Sequence, residues 1–265
     1  MRVLQRIGGI FGDIHRAKVG PPLAASIDLS RFAPALVARA RDTWHQRFTT
    51  ELRSVQIMNR FVAEVVAAGD PLEIYAGAVD LVADEVHHMT LCADLATAFG
   101  ARLVLPEPPE IIEPPAFRDA PASQRALATA ISMLAVNETL SVAYITDLRD
   151  RCQEPAVHAV LAATVADEAA HEGFGWAYIE RALRRFPASS LPVWKTIARD
   201  ALAPQQSFAE PILARLGGEQ RTLAAWPDTE LVPLGLFSAE RQALVYERCV
   251  QATLAPRLSA LGLWS

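Results

Sequence analysis

Apolar residues recur at three- and four-residue intervals along most of the chain, and stretches that alternate apolar with polar are absent, so the pattern predicts an all-α fold. A first helix is expected over 34–68, "PALVARARDTWHQRFTTELRSVQIMNRFVAEVVAA", closed by Gly69. Asp70-Pro71 then reads as an N-cap with proline at the first helical position, opening a second helix that runs to Phe99 and stops at Gly100. Six prolines between 101 and 121 exclude helix there and leave an extended connection long enough to cross the length of a bundle. Ser123 is expected to cap a third helix ending near Arg151, and Glu154-Pro155 to open a fourth that reaches about Arg185. Two further helices are expected over 191–202 and 238–261. Two helical hairpins joined by a long crossover make a four-helix bundle. The division that follows is an N-terminal extension, 1–33, the bundle, 34–186, and a C-terminal helical extension packed on it, 187–265.

Polar residues interrupt this pattern in a repeated way. The stretch "VADEVHHMTLCADLATAFG" sets Asp84, Glu85, His87 and His88 into the second helix, and "VADEAAHEGFGWAYI" sets Asp167, Glu168 and His171 into the fourth with the same order and spacing. Residues three apart share a helix face, separated by about 4.5 Å along the axis, so each Glu-x-x-His aims a carboxylate and an imidazole into one volume. One such tetrad is a weak signal. Two Asp-Glu-x-x-His tetrads in a chain with six histidines have a chance expectation of roughly one in several thousand.

In an antiparallel hairpin the height of a residue can be counted from the turn. Glu51 lies 18 residues before Gly69 and His88 lies 18 after Asp70; Glu138 lies 15 before Gln153 and Glu168 lies 14 after Glu154. Glu51 is flanked on its stripe by Trp44, Phe48, Val55 and Met58, and Glu138 by Ile131, Leu134, Val142 and Ile145. A carboxylate in so apolar a stripe is costly to bury alone, and a metal or a charged partner is expected. Four carboxylates and two imidazoles carry a charge that balances two divalent ions, and an N/O donor set without thiolates suits iron or manganese.

Glu51, Glu85-x-x-His88, Glu138 and Glu168-x-x-His171 together resemble the ligand set of the ferritin-like carboxylate-bridged di-iron proteins, over residues 34–186. The resemblance implies a ferritin-like four-helix bundle, with Glu85 and Glu168 bridging two iron ions, or a Mn/Fe pair, and Glu51 and Glu138 as terminal ligands. It also implies that Asp84 and Asp167 each orient the histidine of the opposite hairpin; an acceptor in that place fixes the imidazole tautomer. Phe48, Val55, Met58, Leu134 and Val142, near the ligands by helical spacing, are candidate pocket-lining residues, although core packing accounts for them equally well. His87 and Glu172 point about 100° off the metal-facing stripe and are expected to meet solvent or other helices. Tyr144 and Tyr178 read as core tyrosines before electron gates, Cys92 as an apolar wall, and His45 and His158 have no assigned role.

Departures from known patterns narrow the activity. The C-x-x-C of a rubredoxin module, as in rubrerythrin-like peroxidases, is absent, and the C-terminal extension fits a ferritin storage cage poorly. Val142 stands where bacterial multicomponent monooxygenases place a threonine, and Thr164 where the p-aminobenzoate N-oxygenase type has a seventh ligand. The shared chemistry points to a di-iron, O2-dependent oxygenase or oxidase acting on a small organic metabolite by hydroxylation, N-oxygenation or desaturation. Its electrons would come from a separate reductase or ferredoxin, and a homodimer is a compatible assembly. The alternative is a metal-handling protein, ferroxidase-like or Mn/Fe-binding, without an organic substrate.

Composition supplies the remaining exclusions. Over 265 residues the net charge is −5, and no Lys/Arg run exceeds two, which leaves no electrostatic footprint for nucleic acid or an anionic membrane. Cys92, Cys152 and Cys249 are widely spaced and read as free thiols in a reducing cytosol. The N-terminus lacks the uninterrupted apolar core of a signal peptide, and no run approaches 18 apolar residues, so a soluble cytoplasmic protein is expected.

Overall fold

The computed structural model describes residues 2–20, 27–105 and 115–264. Helix accounts for 79 % of it, and the all-α expectation holds. The exception among the described residues is a minimal antiparallel pair, β1 (Arg2–Val3) with β2 (Val104–Leu105), which ties the N-terminus to the start of the crossover.

Four long helical rods surround the polar site. They are α2 (Pro34–Ala67), α3 (Leu72–Ala98), a rod built from α5 (Ala122–Thr129), a π-helical segment (Ala130–Asn137) and α6 (Glu138–Arg151), and α7 (Pro155–Leu183). Between α3 and α5 lie β2 and the short α4 (Pro115–Arg118); part of the predicted crossover, 106–114, falls outside the described residues. The glycine stops form as expected. Gly69 and Gly100 have φ of 68° and 87°, and each closes its helix with paired bonds back to the last turn, Asp70 N–H to Val65 O and Ala101 N–H to Ala96 O being the outer ones.

The predicted caps are less accurate. Pro71, not Asp70, precedes the first turn of α3, and Asp70 instead accepts from the Tyr178 hydroxyl at 2.9 Å and pairs with Arg185. Pro121 takes the cap position expected of Ser123, and no side chain caps α5. In both cases the proline's fixed φ starts the helix without a polar cap. Ser238 does cap α9 (Ala239–Cys249), accepting from the Arg241 N–H at 3.2 Å.

The helix predicted over 191–202 runs on as α8 (Leu191–Leu213), through Pro204 and Pro211. A proline inside a helix costs about 3 kcal/mol. The buried stripe Trp194, Ala198, Leu202, Ala209, Ile212 and Leu213 packs in one core with the bundle residues Leu134 and Ile179, and this burial outweighs the loss. Helix α9 continues through a second π segment (Val250–Leu254) into α10 (Ala255–Ala260), and Arg241 anchors it. Its guanidinium grips both Asp147 oxygens, at 2.8 and 2.7 Å, while Arg151 holds the same carboxylate from within α6.

At the other end, α1 (Gly9–Val19) packs against α3 while Ile10, Phe11 and Ile14 stay largely exposed. The rod Ala122–Arg151 is long and apolar enough to cross a membrane, yet 61 % of its most apolar window is buried inside the molecule. Its place in the core accounts for that apolarity.

Candidate metal centre

The centre sits where α3 and α7 meet, supported by the π segment. Glu85 and His88 share one face of α3, and Glu168 and His171 one face of α7, all buried to 3 % exposure or less. Gly175, one turn beyond His171, lets α7 approach the π segment closely; a Cβ there would lie 2.5 Å from the Leu134 carbonyl. The wide turns of that segment end at Glu138, and Asn137 stabilises them by donating from Nδ2 to the Ser132 carbonyl at 2.8 Å. A π turn shifts the register of everything after it, so Glu138 is aimed by a device that a 3.6-residue period does not predict.

Two overlapping groups of donors result. Glu85, Glu138, Glu168 and His171 offer atoms within 4.8 Å of one another, and so do Glu51, Glu85 and His88; Glu85 belongs to both groups. Glu85 and Glu168 each turn one oxygen toward each imidazole. Glu168 Oε1 lies 3.5 Å from His88 Nδ1 and Oε2 lies 3.2 Å from His171 Nδ1, while Glu85 stands 3.7 Å from His171 Nδ1 and 4.0 Å from His88 Nδ1. The outer nitrogens pair crosswise between helices: His88 Nε2 with Asp167 Oδ2 at 3.1 Å, His171 Nε2 with Asp84 Oδ2 at 3.2 Å. A carboxylate acceptor holds the proton on Nε2, which turns the Nδ1 lone pair inward. Both Nδ1 atoms, Glu85 Oε2 and Glu168 Oε2 are buried without a hydrogen-bond partner among the described residues.

Such crowding redistributes protons. Burial first, then the charges of Glu51 and Glu168, push the Glu85 carboxyl well above the usual range, and burial with Glu168 does the same to Glu138. Glu51 is also raised, chiefly by burial, although it keeps some exposed surface. Burial acts on Glu168 too, but the adjacent His171, Glu138 and His88 outweigh it and hold this carboxyl below its ordinary value. For His88 burial opposes the charged form; the bond to Asp167 and the nearby Glu168 overcome it and raise the imidazole. Without a cation, then, burial and mutual repulsion drive Glu85 and Glu138 toward their neutral forms, and the raised His88 imidazole offsets part of the negative charge that remains.

The other singled-out residues divide. His87 Nδ1 also reaches Asp167, at 3.5 Å, and Glu172 pairs with Arg257 of α10. Tyr178 packs edge-on against Phe61, Tyr144 donates weakly to Gln205 at 3.5 Å, and both phenols are pushed up by burial. His45 accepts the Val104 N–H of β2, His158 is exposed, and Cys92 is buried beside Ala93 and Leu95.

The five candidate pocket residues do not share one cavity. Met58 and Leu134 are fully buried in one core cluster, and Val55 is half-buried. Phe48 belongs to another cluster and floors a cavity beneath α1, whereas Val142 lines a separate cavity of about 540 Å³ against α9. Thr164 turns its hydroxyl back to the Val160 carbonyl at 3.0 Å.

Sequence reasoning missed Glu64, which is 2 % exposed, accepts from the Thr129 hydroxyl at 3.2 Å and faces Arg60 and Arg125 at 3.5 and 3.4 Å. The only signal was the i,i+4 pair Arg60–Glu64, which is ordinary on a solvated face. Comparison with protein-family models, with curated proteins and with solved structures returned no match.

Proposed function

We propose that the chain is a ferritin-like di-iron oxidoreductase that uses O2 on a small organic molecule. The observation that carries this reading is the pair of donor groups sharing Glu85, with four inward-facing buried atoms, two imidazole nitrogens and two carboxylate oxygens, unpartnered among the described residues. Buried polar atoms in native proteins are almost always satisfied, and here four without a hydrogen-bond partner converge on one volume. The donor set fits a pair of hard-to-borderline divalent ions, and iron above all; manganese in one position would suit the same atoms.

Glu51, Glu85, His88, Glu138, Glu168 and His171 would hold the two ions, with Glu85 belonging to both donor groups. Bound there, two ferrous ions would supply the electrons and the binding site for reducing O2. Asp84 and Asp167 would hold the imidazoles rigid, keeping the Nε2 protons in place while Nδ1 ligates. Met58, Ile131 and Leu134, fully buried in one apolar cluster on the helices that carry Glu51 and Glu138, would help to keep bulk water from the centre. Protons now held by Glu85 and Glu138 would leave as cations enter. A separate reductase or ferredoxin would supply electrons for turnover.

The test is anaerobic Fe(II) loading followed by exposure to air. Two iron ions per chain and a transient visible absorption are expected; less than one ion per chain, with no transient, overturns the reading. If the transient forms and decays to bound or released ferric iron with no acceleration by any organic molecule tried, the metal-handling reading replaces it.

A further inference from the structure

Between α1 and α3, with Phe48 of α2 as its floor, lies a cavity of about 380 Å³. Its walls are mostly apolar, with Phe11 and Val19 contributed by α1, and Met89 and Leu91 by α3. The charges on its rim are already matched. Arg6 pairs with Asp94 at 2.5 Å and Arg16 with Asp13. What remains is Gln5 and one hydrogen-bonded polar pair, His15 Nε2 with Thr90 Oγ1 at 3.0 Å. The Thr90 hydroxyl gives its single proton to the Val86 carbonyl, at 2.9 Å, so it accepts from His15 Nε2–H and keeps a further lone pair for another donor.

The cavity's height in the bundle follows from helical spacing. Phe48 precedes Glu51 by three residues on α2, and Leu91 follows His88 by three on α3; the two strands of the hairpin run in opposite directions, so both lie on the side away from Gly69. Three residues of helix advance about 4.5 Å, so the floor of the cavity is less than one turn from the Glu51–His88 end of the donor cluster. A ligand site typically combines this apolar lining with a few fixed polar groups.

We propose that this cavity binds a neutral, largely apolar small molecule carrying one hydroxyl or carbonyl group, which His15 and Thr90 orient. Paired rim charges leave no counter-ion for a carboxylate, a sulfonate or an ammonium group. That the ligand is the substrate rests on the di-iron reading; the binding itself does not.

The experiment is a fluorescence titration of the full-length protein with 2-naphthol, neutral at pH 7, beside naphthalene-2-sulfonate, which has the same rings and a fixed charge. It is run anaerobically, with and without iron, so failure to load metal cannot be mistaken for failure to bind. Saturable one-to-one naphthol binding is expected, at least tenfold tighter than the sulfonate. Ala93→Trp, which fills the cavity from α3, should weaken naphthol at least tenfold with unchanged helical circular dichroism. Should that variant fail to fold, Phe11→Ser on the exposed rim, which leaves the core intact, should weaken it at least threefold. No saturable naphthol binding, equal binding of the sulfonate, or undiminished affinity in the folded variants overturns the proposal.

Discussion

Helix α2 carries two carboxylates that enter the interior, Glu51 and, 13 residues on, Glu64, and their surroundings solve the same problem in opposite ways. Glu64 meets two guanidinium groups and a hydroxyl, so its charge is answered by fixed positive charge from within the chain. Glu51 meets Glu85, with Glu168, His88 and Arg47 near by, a neighbourhood where three carboxylates face one guanidinium and one imidazole. The first arrangement sets one carboxylate against fixed positive charge and reads as structural. The second is balanced only by protons or by cations, and an excess of inward-facing acceptors separates a binding centre from a buried ion pair.

The contrast predicts effects of different kind and sign. The largest is on metal. Glu85 is common to both donor groups, so Glu85→Ala should lower bound iron from two per chain to less than one, read by elemental analysis after anaerobic loading. Chelation of the native protein should lower its Tm, by the equivalent of about 2.7 kcal/mol at a free metal concentration a hundredfold above Kd.

Next is stability without metal, where the two regions should diverge. Glu64→Leu leaves Arg60 and Arg125 facing each other. It should cost about 2 kcal/mol by urea denaturation, below the 3–5 typical of a fully buried pair because both arginines are partly exposed. Glu85→Gln removes a carboxyl whose charged form burial and its neighbours disfavour, and the metal-free variant should stay within about 1 kcal/mol of the native chain or exceed it. Equal losses in both variants would erase the distinction.

A smaller effect concerns orientation. Asp167→Ala frees the His88 ring while leaving all six candidate ligands in place, and metal affinity should fall about 10- to 100-fold, measured by competition with a chromophoric chelator. The smallest depends on pH and lies at the α6–α9 contact. Burial pushes the Asp147 carboxyl up, but hydrogen bonds from Arg241 and Arg151 outweigh it and hold the carboxyl below its ordinary value. A depressed folded value means that this stabilisation is present at neutral pH and lost as pH falls through that value. Asp147→Asn should therefore lie about 3 °C below the native Tm at neutral pH, and the gap should close on acidification.

Much of this was legible in the sequence because helices are local. The Glu-x-x-His spacing follows from 3.6 residues per turn, Gly69 and Gly100 from the freedom of glycine at positive φ, and the matching heights of Glu51 with His88 and Glu138 with Glu168 from the constant rise per residue. Reasoning failed where a non-local contact outweighed a local rule. Pro204 and Pro211 read as a helix end until the packing of Trp194 and Ile212 is known. Glu64 reads as a surface partner of Arg60 until Arg125 and Thr129 arrive from 61 and 65 residues away.

By itself, then, the sequence determined the all-α class, the long rods and the sharing of one helix face by Glu85 with His88 and by Glu168 with His171, since each depends on periodicity within one helix. The crosswise pairing of Asp167 with His88 and of Asp84 with His171 agrees with what the resemblance implied, whereas the tertiary structure alone decided that a π segment aims Glu138 and that α1 closes a cavity over Phe48. Those last two features depend on which faces meet between separate helices, and burial and close packing settle that only when the whole core assembles.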